Sequence, residues 1–327
     1  MGETMTPFGT TKTGEDVHVL TLTQGDLRVD LLTYGARLQD VRLAGVPHSL
    51  TLMSDTLSDY EGPMPYHGAL VGPVANRIGA GRVTLDGMMY ELERNQDGRM
   101  TLHSGSDGMH ARVWQVIDHA PDAATLQLTL QDGDCGLPGQ RVITARFKIT
   151  APATLTMDLT GTTDELTLMN IANHSMWNMD GSRTWQGHSL GIAAEHYLPT
   201  DADNLVTGEI APVAGTGMDF RTARTPVPGD PMLDHNFCLS DQPTALREVV
   251  TLTGKSGLRM TLATDRTGVQ VFDNHVGLRP GASPYEGFAL EAQDWPDAPA
   301  HRDFPSVLLK PDAPYRQTTT WRFDRTE

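Results

Sequence analysis

The stretch RVITARFKITAPATLTMDLT, residues 141–160, alternates twice over. Ile143, Ala145, Phe147 and Ile149 fall between Thr144, Arg146 and Lys148, and Leu155, Met157 and Leu159 then repeat the spacing. Successive side chains of a strand point to opposite faces, so a period of two is what one buried and one solvated face produce. Leu126, Leu128 and Leu130 among Gln127, Thr129 and Gln131 show the same pattern, as do Leu258, Met260 and Leu262. Turn residues separate the runs. Asp86-Gly87 lies between Val83-Thr84-Leu85 and Met88-Met89-Tyr90, Asp132-Gly133 follows one strand, and Leu137-Pro138-Gly139 precedes another. Hairpins are the economical connection at such places. Apolar residues are not sustained at spacings of three and four, and 32 Gly and 21 Pro spread along the chain interrupt any long helix. The pattern predicts an all-β fold with few short helices, a large antiparallel β-sandwich whose two packed sheets frame a concave, ligand-sized face.

The chain has 327 residues, 39% of them hydrophobic and 20% charged, which is ordinary globular composition with material for a sizeable core. The Pro-rich segments Pro226 to Pro231 and Pro296 to Pro305 are short and sit among strand patterns. No linker is evident, and residues 1–327 are expected to form one domain. Acidic residues outnumber Lys plus Arg by 41 to 25, a net charge of −16. That balance argues against a nucleic-acid partner, which needs a basic patch; it reads as a device for solubility or an adaptation to salt. Only Cys135 and Cys238 are present, without the spacing of a disulfide scaffold or a zinc site. The N-terminal MGETMTPFGT lacks a basic segment followed by an apolar run, and no run of about 18 apolar residues occurs. A cytoplasmic location without a membrane partner is expected. Gly2 with Thr6 fits a loose myristoylation pattern and Asn173-His174-Ser175 a glycosylation sequon; both patterns match often by chance and carry no weight here.

Three stretches place a histidine beside groups able to orient it: Leu102-His103-Ser104-Gly105, Asn170 to Asn178, and Asp234-His235-Asn236-Phe237. Glu291, in FALEAQDWPDAP at residues 288–299, is the fourth element, a carboxylate in an apolar strand where an isolated charge is costly. Gln293 shares its face by period two, although an outward, solvated Glu291 fits the same alternation. His174 stands among Asn173, Ser175 and Trp177, a polar and aromatic mixture suited to a site that binds one face of a ring. Asp234 suits a turn cap as well as a ligand contact. Arg77, between Asn76 and Ile78, suits a surface position as well as a fixed fork for oxygen-rich ligands. Neither His-x-x-x-His nor Cys-x-x-Cys pairing accompanies these residues, so a metal-free site is expected.

Taken together the motifs resemble the aldose 1-epimerase (mutarotase) family over nearly the whole chain. The order runs Tyr34-Gly35-Ala36-Arg37-Leu38, His67-Gly68, Ala75-Asn76-Arg77-Ile78, Leu102-His103-Ser104-Gly105, then Asp132-Gly133 with Leu137-Pro138-Gly139, and Asn173-His174-Ser175-Met176-Trp177-Asn178. Asp234-His235-Asn236-Phe237, Gly268 to Asn274, Glu291-Ala292-Gln293, Pro296-Asp297-Ala298 and Phe304-Pro305-Ser306 complete it. The resemblance implies a galactose mutarotase-like β-sandwich that interconverts the α and β anomers of a free aldose without a cofactor. Glu291 would be the base at the C1 hydroxyl and His174 the acid at the ring oxygen. Arg77, His103 and Asp234 would bind hydroxyls with Asn76 and Gln293, and Phe272 would pack on the sugar's apolar face, with Trp177 near the ring.

The sequence departs from the family at Gly72-Pro73-Val74, where Gly-Arg-Tyr is usual, at Ser104 for Gly, at Trp177 for Phe, and at Met232-Leu233 before Asp234. Reference pKa values of about 4.3 for Glu and 6.5 for His make Glu291 an ionised base, with its charge keeping His174 protonated. No Lys or Arg cluster lies near the motifs, so a neutral monosaccharide is preferred to a phosphosugar. Monomer and homodimer both remain open. Two other functions fit the same residues: a glycoside hydrolase or lyase using Glu291 with Asp234, which would release reducing ends, and a sugar-binding or sensor protein, which would bind without exchanging anomers.

Overall fold

The computed structural model describes residues 5–326; Gly2 of the myristoylation-like pattern lies outside them. Strands dominate. Among the described residues the one α-helix is the single turn Leu57–Tyr60, and the other helical elements are four short 3-10 turns. The largest sheet has eight strands in the order Gln115–Ala120, Ala123–Leu130, Arg141–Thr150, Thr154–Thr163, Tyr315–Arg325, Leu258–Thr264, Arg247–Thr253 and Ser189–Ile192, each antiparallel to its neighbour. Its alternation matches the sequence pattern. Ile143, Ala145, Phe147, Ile149, Leu155, Met157 and Leu159 are buried, while the residues between them are half-buried or exposed.

A six-stranded antiparallel sheet runs in the order Met176–Trp177, Phe288–Gln293, Gly268–Phe272, Asp234–Cys238, His196–Tyr197 and Ala211–Pro212. A four-stranded sheet, Thr6–Thr10 to Arg37–Leu43, follows chain order. One apolar core gathers residues from all three sheets, from Leu20 to Phe323. The Asp86-Gly87 hairpin forms as the sequence predicts, pairing Leu85 with Met88. Both turn residues have positive φ, +46° and +78°, as a two-residue turn matched to strand twist requires.

The six-stranded sheet positions the site. Phe288, Leu290 and Ala292 belong to the core, as do Val269, Val271 and Phe237. Glu291, Gln270, Phe272 and Asp234, one step out of phase, therefore occupy the opposite face. Burying Phe288 and Leu290 is worth roughly 1.5–3 kcal/mol each. A one-residue slip would exchange them for Glu291, so the apolar packing fixes where the carboxylate points. All six residues of Phe288–Gln293 are buried, because loops cover the polar face too. Glu291 is not on a solvated edge.

Candidate active site

The loops and the polar face of the six-stranded sheet enclose a cavity of about 200 Å³. Asn76, Arg77, His103, His174, Asp234, Phe272 and Glu291 line it, and Tyr66, Leu102 and Leu278 complete the wall.

The sheet supplies the floor. Asp234 pairs across the strands with Phe272, and Gln270 with Glu291. Gln270 Nε2 donates to Asp234 Oδ1 at 2.7 Å, and Arg77 Nη2 donates to Oδ2 at 3.1 Å. Arg77 Nε is held by Gln96 Oε1 at 3.0 Å. Both carboxylate oxygens of Asp234 thus have donors, and the one guanidinium in the wall is matched by a carboxylate.

The loops supply the rest under strain. Asn76, His103 and Ser104 have φ of +63°, +50° and +66°, a region that costs non-glycine residues of order 1–3 kcal/mol each and persists where the surroundings enforce it. Here hydrogen bonds enforce it. The His103 N–H donates to the Asn76 carbonyl at 3.0 Å, and the Asn76 N–H donates to His103 Nδ1 at 3.1 Å. The Ser104 hydroxyl accepts from the Val74 N–H at 2.8 Å and donates to the Val74 carbonyl at 3.0 Å. Two of the family departures therefore meet: Ser104 binds the residue that follows Pro73.

Because Nδ1 of His103 accepts a hydrogen bond, its proton sits on Nε2. Burial holds this ring neutral, well below the ordinary imidazole value. His103, His174 and Glu291 each put a donor atom within 4.8 Å of the others, a spacing open to a metal ion. A metal on His103 Nε2 would need Nδ1 to carry and donate the proton, yet Nδ1 faces the Asn76 N–H. The cluster suits hydrogen bonding and proton transfer rather than coordination.

His174 Nε2 lies 3.6 Å from Glu291 Oε1, and Glu291 Oε2 has no protein partner. Burial pushes the Glu291 carboxyl well above the usual range, the negative charge of Asp234 adds to this, and Arg77 opposes it. Burial also pushes His174 down to about 4, against its own backbone and Asp234 and with help from Arg37. Reference values in water favour an ionised Glu291 and a protonated His174; burial acts against both charges and shifts each group toward its neutral form.

Trp177 and Gln293 stand apart from the cavity wall. Trp177 is fully buried on the core side, 6.0 Å from the Trp321 ring and 5.7 Å from Phe323, so it packs the sandwich and does not face a sugar. Gln293 shares the face of Glu291, but it lies opposite Gly268 and donates to the Asp294 carbonyl at 3.2 Å. Asn173 of the sequon is buried and donates to the Gly68 carbonyl at 2.9 Å. Three residues at the site, Tyr66, Leu278 and Gln270, have no role in the reading of the sequence. Gln270 had a signal, being the polar residue that alternates with Phe272; Tyr66 had only its place before His67-Gly68, and Leu278 had none.

Residues 18–322 match the family model described as aldose 1-epimerase. The galactose mutarotase of Rattus norvegicus is 32% identical over 343 residues, covering 98% of each chain. Among solved structures, an aldose epimerase homologue from C. elegans superposes with a TM-score of 0.88 at 25% identity, covering 95% of this chain and 100% of that one. Galactose 1-epimerase from Lactobacillus acidophilus gives 0.86 at 25% identity and full coverage of both.

Proposed function

The chain belongs to the aldose 1-epimerase family, isomerases that exchange sugar anomers, and we propose that Glu291 takes the proton of a neutral aldose's C1 hydroxyl while His174 protonates the ring oxygen. The observation that carries this is the buried pair itself: a carboxyl and an imidazole 3.6 Å apart on the wall of one small cavity.

Proton balance explains why burial is useful. The cyclic sugar reacts with the pair as carboxylate and imidazolium. As the C1–O5 bond breaks, the C1 hydroxyl proton passes to Glu291 and the His174 proton passes to O5. The open-chain aldehyde then faces a neutral carboxylic acid and a neutral imidazole. Those are the forms that desolvation favours. A raised carboxyl pKa makes Glu291 a stronger base and a lowered imidazole pKa makes His174 a stronger acid. After rotation about C1–C2, His174 recovers the O5 proton and Glu291 returns one to the new C1 hydroxyl, so the protein ends unchanged.

The remaining wall is assigned to binding. The His103 Nε2–H, Arg77, Asn76 and Asp234 offer fixed partners for hydroxyls, and Phe272 offers an apolar surface for the ring's C–H face. A volume of about 200 Å³ lies below the ~300–1,000 Å³ of drug-sized ligand sites, which supports one sugar ring over an oligosaccharide and weighs against a hydrolase. Arg77 is already matched by Asp234, which supports a neutral sugar. A single functional domain is supported by the shared core. Among the described residues no helix is long and apolar enough to cross a membrane. Cys135 and Cys238 are unpaired, which fits a reducing cytoplasm.

A panel of galactose, glucose, arabinose, xylose and fucose, followed by polarimetry and exchange NMR, tests the proposal. Faster anomer exchange is expected for at least one. Binding without faster exchange, or reducing ends released from an oligosaccharide, would contradict it.

A further inference from the structure

A second guanidinium lies close to the site without lining it. Arg37, at the start of the strand Arg37–Leu43, is fully buried. Its hydrogen bonds all go to main-chain carbonyls: Nη1 to Met64 at 3.4 Å and to His67, and Nη2 to Pro65 at 3.0 Å. It also stacks 4.2 Å over the Tyr60 ring. A buried cation that finds carbonyls and a ring face rather than a carboxylate is expensive to keep, and what it holds is one loop. That loop is hydrogen-bonded to the segment bearing the proton-transfer histidine. The Gly68 N–H donates to the His174 carbonyl, the His174 N–H donates to the Ala69 carbonyl, and Asn173 Nδ2 donates to the Gly68 carbonyl, each at 2.9 Å. Tyr66, between the clamped Pro65 and His67, sets its ring 4.6 Å from His103 and 5.9 Å from His174. The contact is close: a Cβ at Gly68 would stand 2.2 Å from the Leu38 carbonyl oxygen and 3.0 Å from Arg37 Cγ, at φ +73°.

We infer that Arg37 is a positioning residue for the catalytic pair: by gripping the loop of residues 64–69 it sets the His174 imidazole against Glu291. The inference rests on the role proposed for His174. Arg77 and Asp234 stand on other strands, Arg77–Ile78 and Asp234–Cys238, so a loosened loop should disturb proton transfer more than sugar binding. Lysine would keep the charge but cannot span three carbonyls as a planar fork does.

The test is steady-state polarimetry on freshly dissolved α-galactose with Arg37→Lys and Arg37→Met, each first shown to be folded by a cooperative thermal transition. A misplacement of about 1 Å can cost ~100-fold in rate. The expected result is kcat lowered about 100-fold in Arg37→Met and about 10-fold in Arg37→Lys, with KM within about threefold in both. Folded variants with kcat within twofold of the parent, or with kcat and KM altered equally, would overturn the inference. Should Arg37→Met not fold, Arg37→Lys and Gly68→Ala decide it; the latter wedges the loop off an intact Arg37, and an unchanged kcat in both would overturn it. Active parent protein, inactive His174→Gln and fully active Arg37 variants would sink this inference alone. Fully active His174→Gln would instead remove the reading on which it rests.

Discussion

His174 Nε2 and Glu291 Oε1 stand 3.6 Å apart inside the protein, beyond hydrogen-bonding distance for nitrogen and oxygen. The two groups are not hydrogen-bonded to each other, so both are free to engage the oxygens of a ligand between them. One element brings each: His174 comes from the turn between Ala172–Asn173 and Met176–Trp177, and Glu291 from the middle of Phe288–Gln293.

His174→Gln keeps a polar side chain without the titrating ring. Losing a positioned acid costs about 10²–10⁴ in rate, so kcat should fall by that order while the affinity for galactose, read by calorimetry, changes little. A variant that kept its turnover would remove His174 from the proton path.

Acid should destabilise the fold through its buried histidines. Burial holds His67 and His110 down to about 3, His174 to about 4 and His103 well below the ordinary value. Unfolded histidines bind protons near 6.5, whereas these wait until pH approaches 4. The unfolded chain therefore holds more protons between those limits, and stability falls as pH falls. Glu291, raised in the fold, acts with the opposite sign by up to one proton, and the four histidines outweigh it, so stability should fall as pH drops from 7.5 toward 5. Urea unfolding at pH 7.5, 6 and 5 reads this directly; equal stability at 7.5 and 5 would refute it.

Asp234→Asn leaves Arg77 buried without its countercharge. Breaking such a pair costs about 3 kcal/mol or more, so the thermal midpoint should drop and KM should rise about tenfold, because Asp234 both lines the cavity and fixes Arg77. An unchanged KM would show that the pair serves structure only.

Trp177 separates packing from binding. Trp177→Ala should cost about 3–5 kcal/mol in unfolding free energy, while Trp177→Phe, the family's residue, should leave KM for galactose within twofold. A specificity change in Trp177→Phe would return that ring to the site.

The strands around residues 141–160 were readable because period-two burial is a local pattern. The same property hid the orientation of Glu291: Phe288, Ala289, Leu290 and Ala292 are apolar on both sides of it, since loops roof the polar face as well. Trp177 misled because Met176–Trp177 is only two residues long; the polar neighbours are turn residues and no alternation marks the core side. Gln270, Tyr66 and Arg37 act on residues distant in sequence, which a single sequence does not reveal. The pull of burial against both charges of the pair is not legible either, because complete burial is set by loops distant in sequence.

Glu291→Gln followed by polarimetry on freshly dissolved α-galactose tests the base most directly. The side chain keeps its shape and loses the ability to accept the C1 proton. Turnover should fall about 10²–10⁴-fold with sugar binding retained. Near-normal mutarotation in that variant would contradict the mechanism.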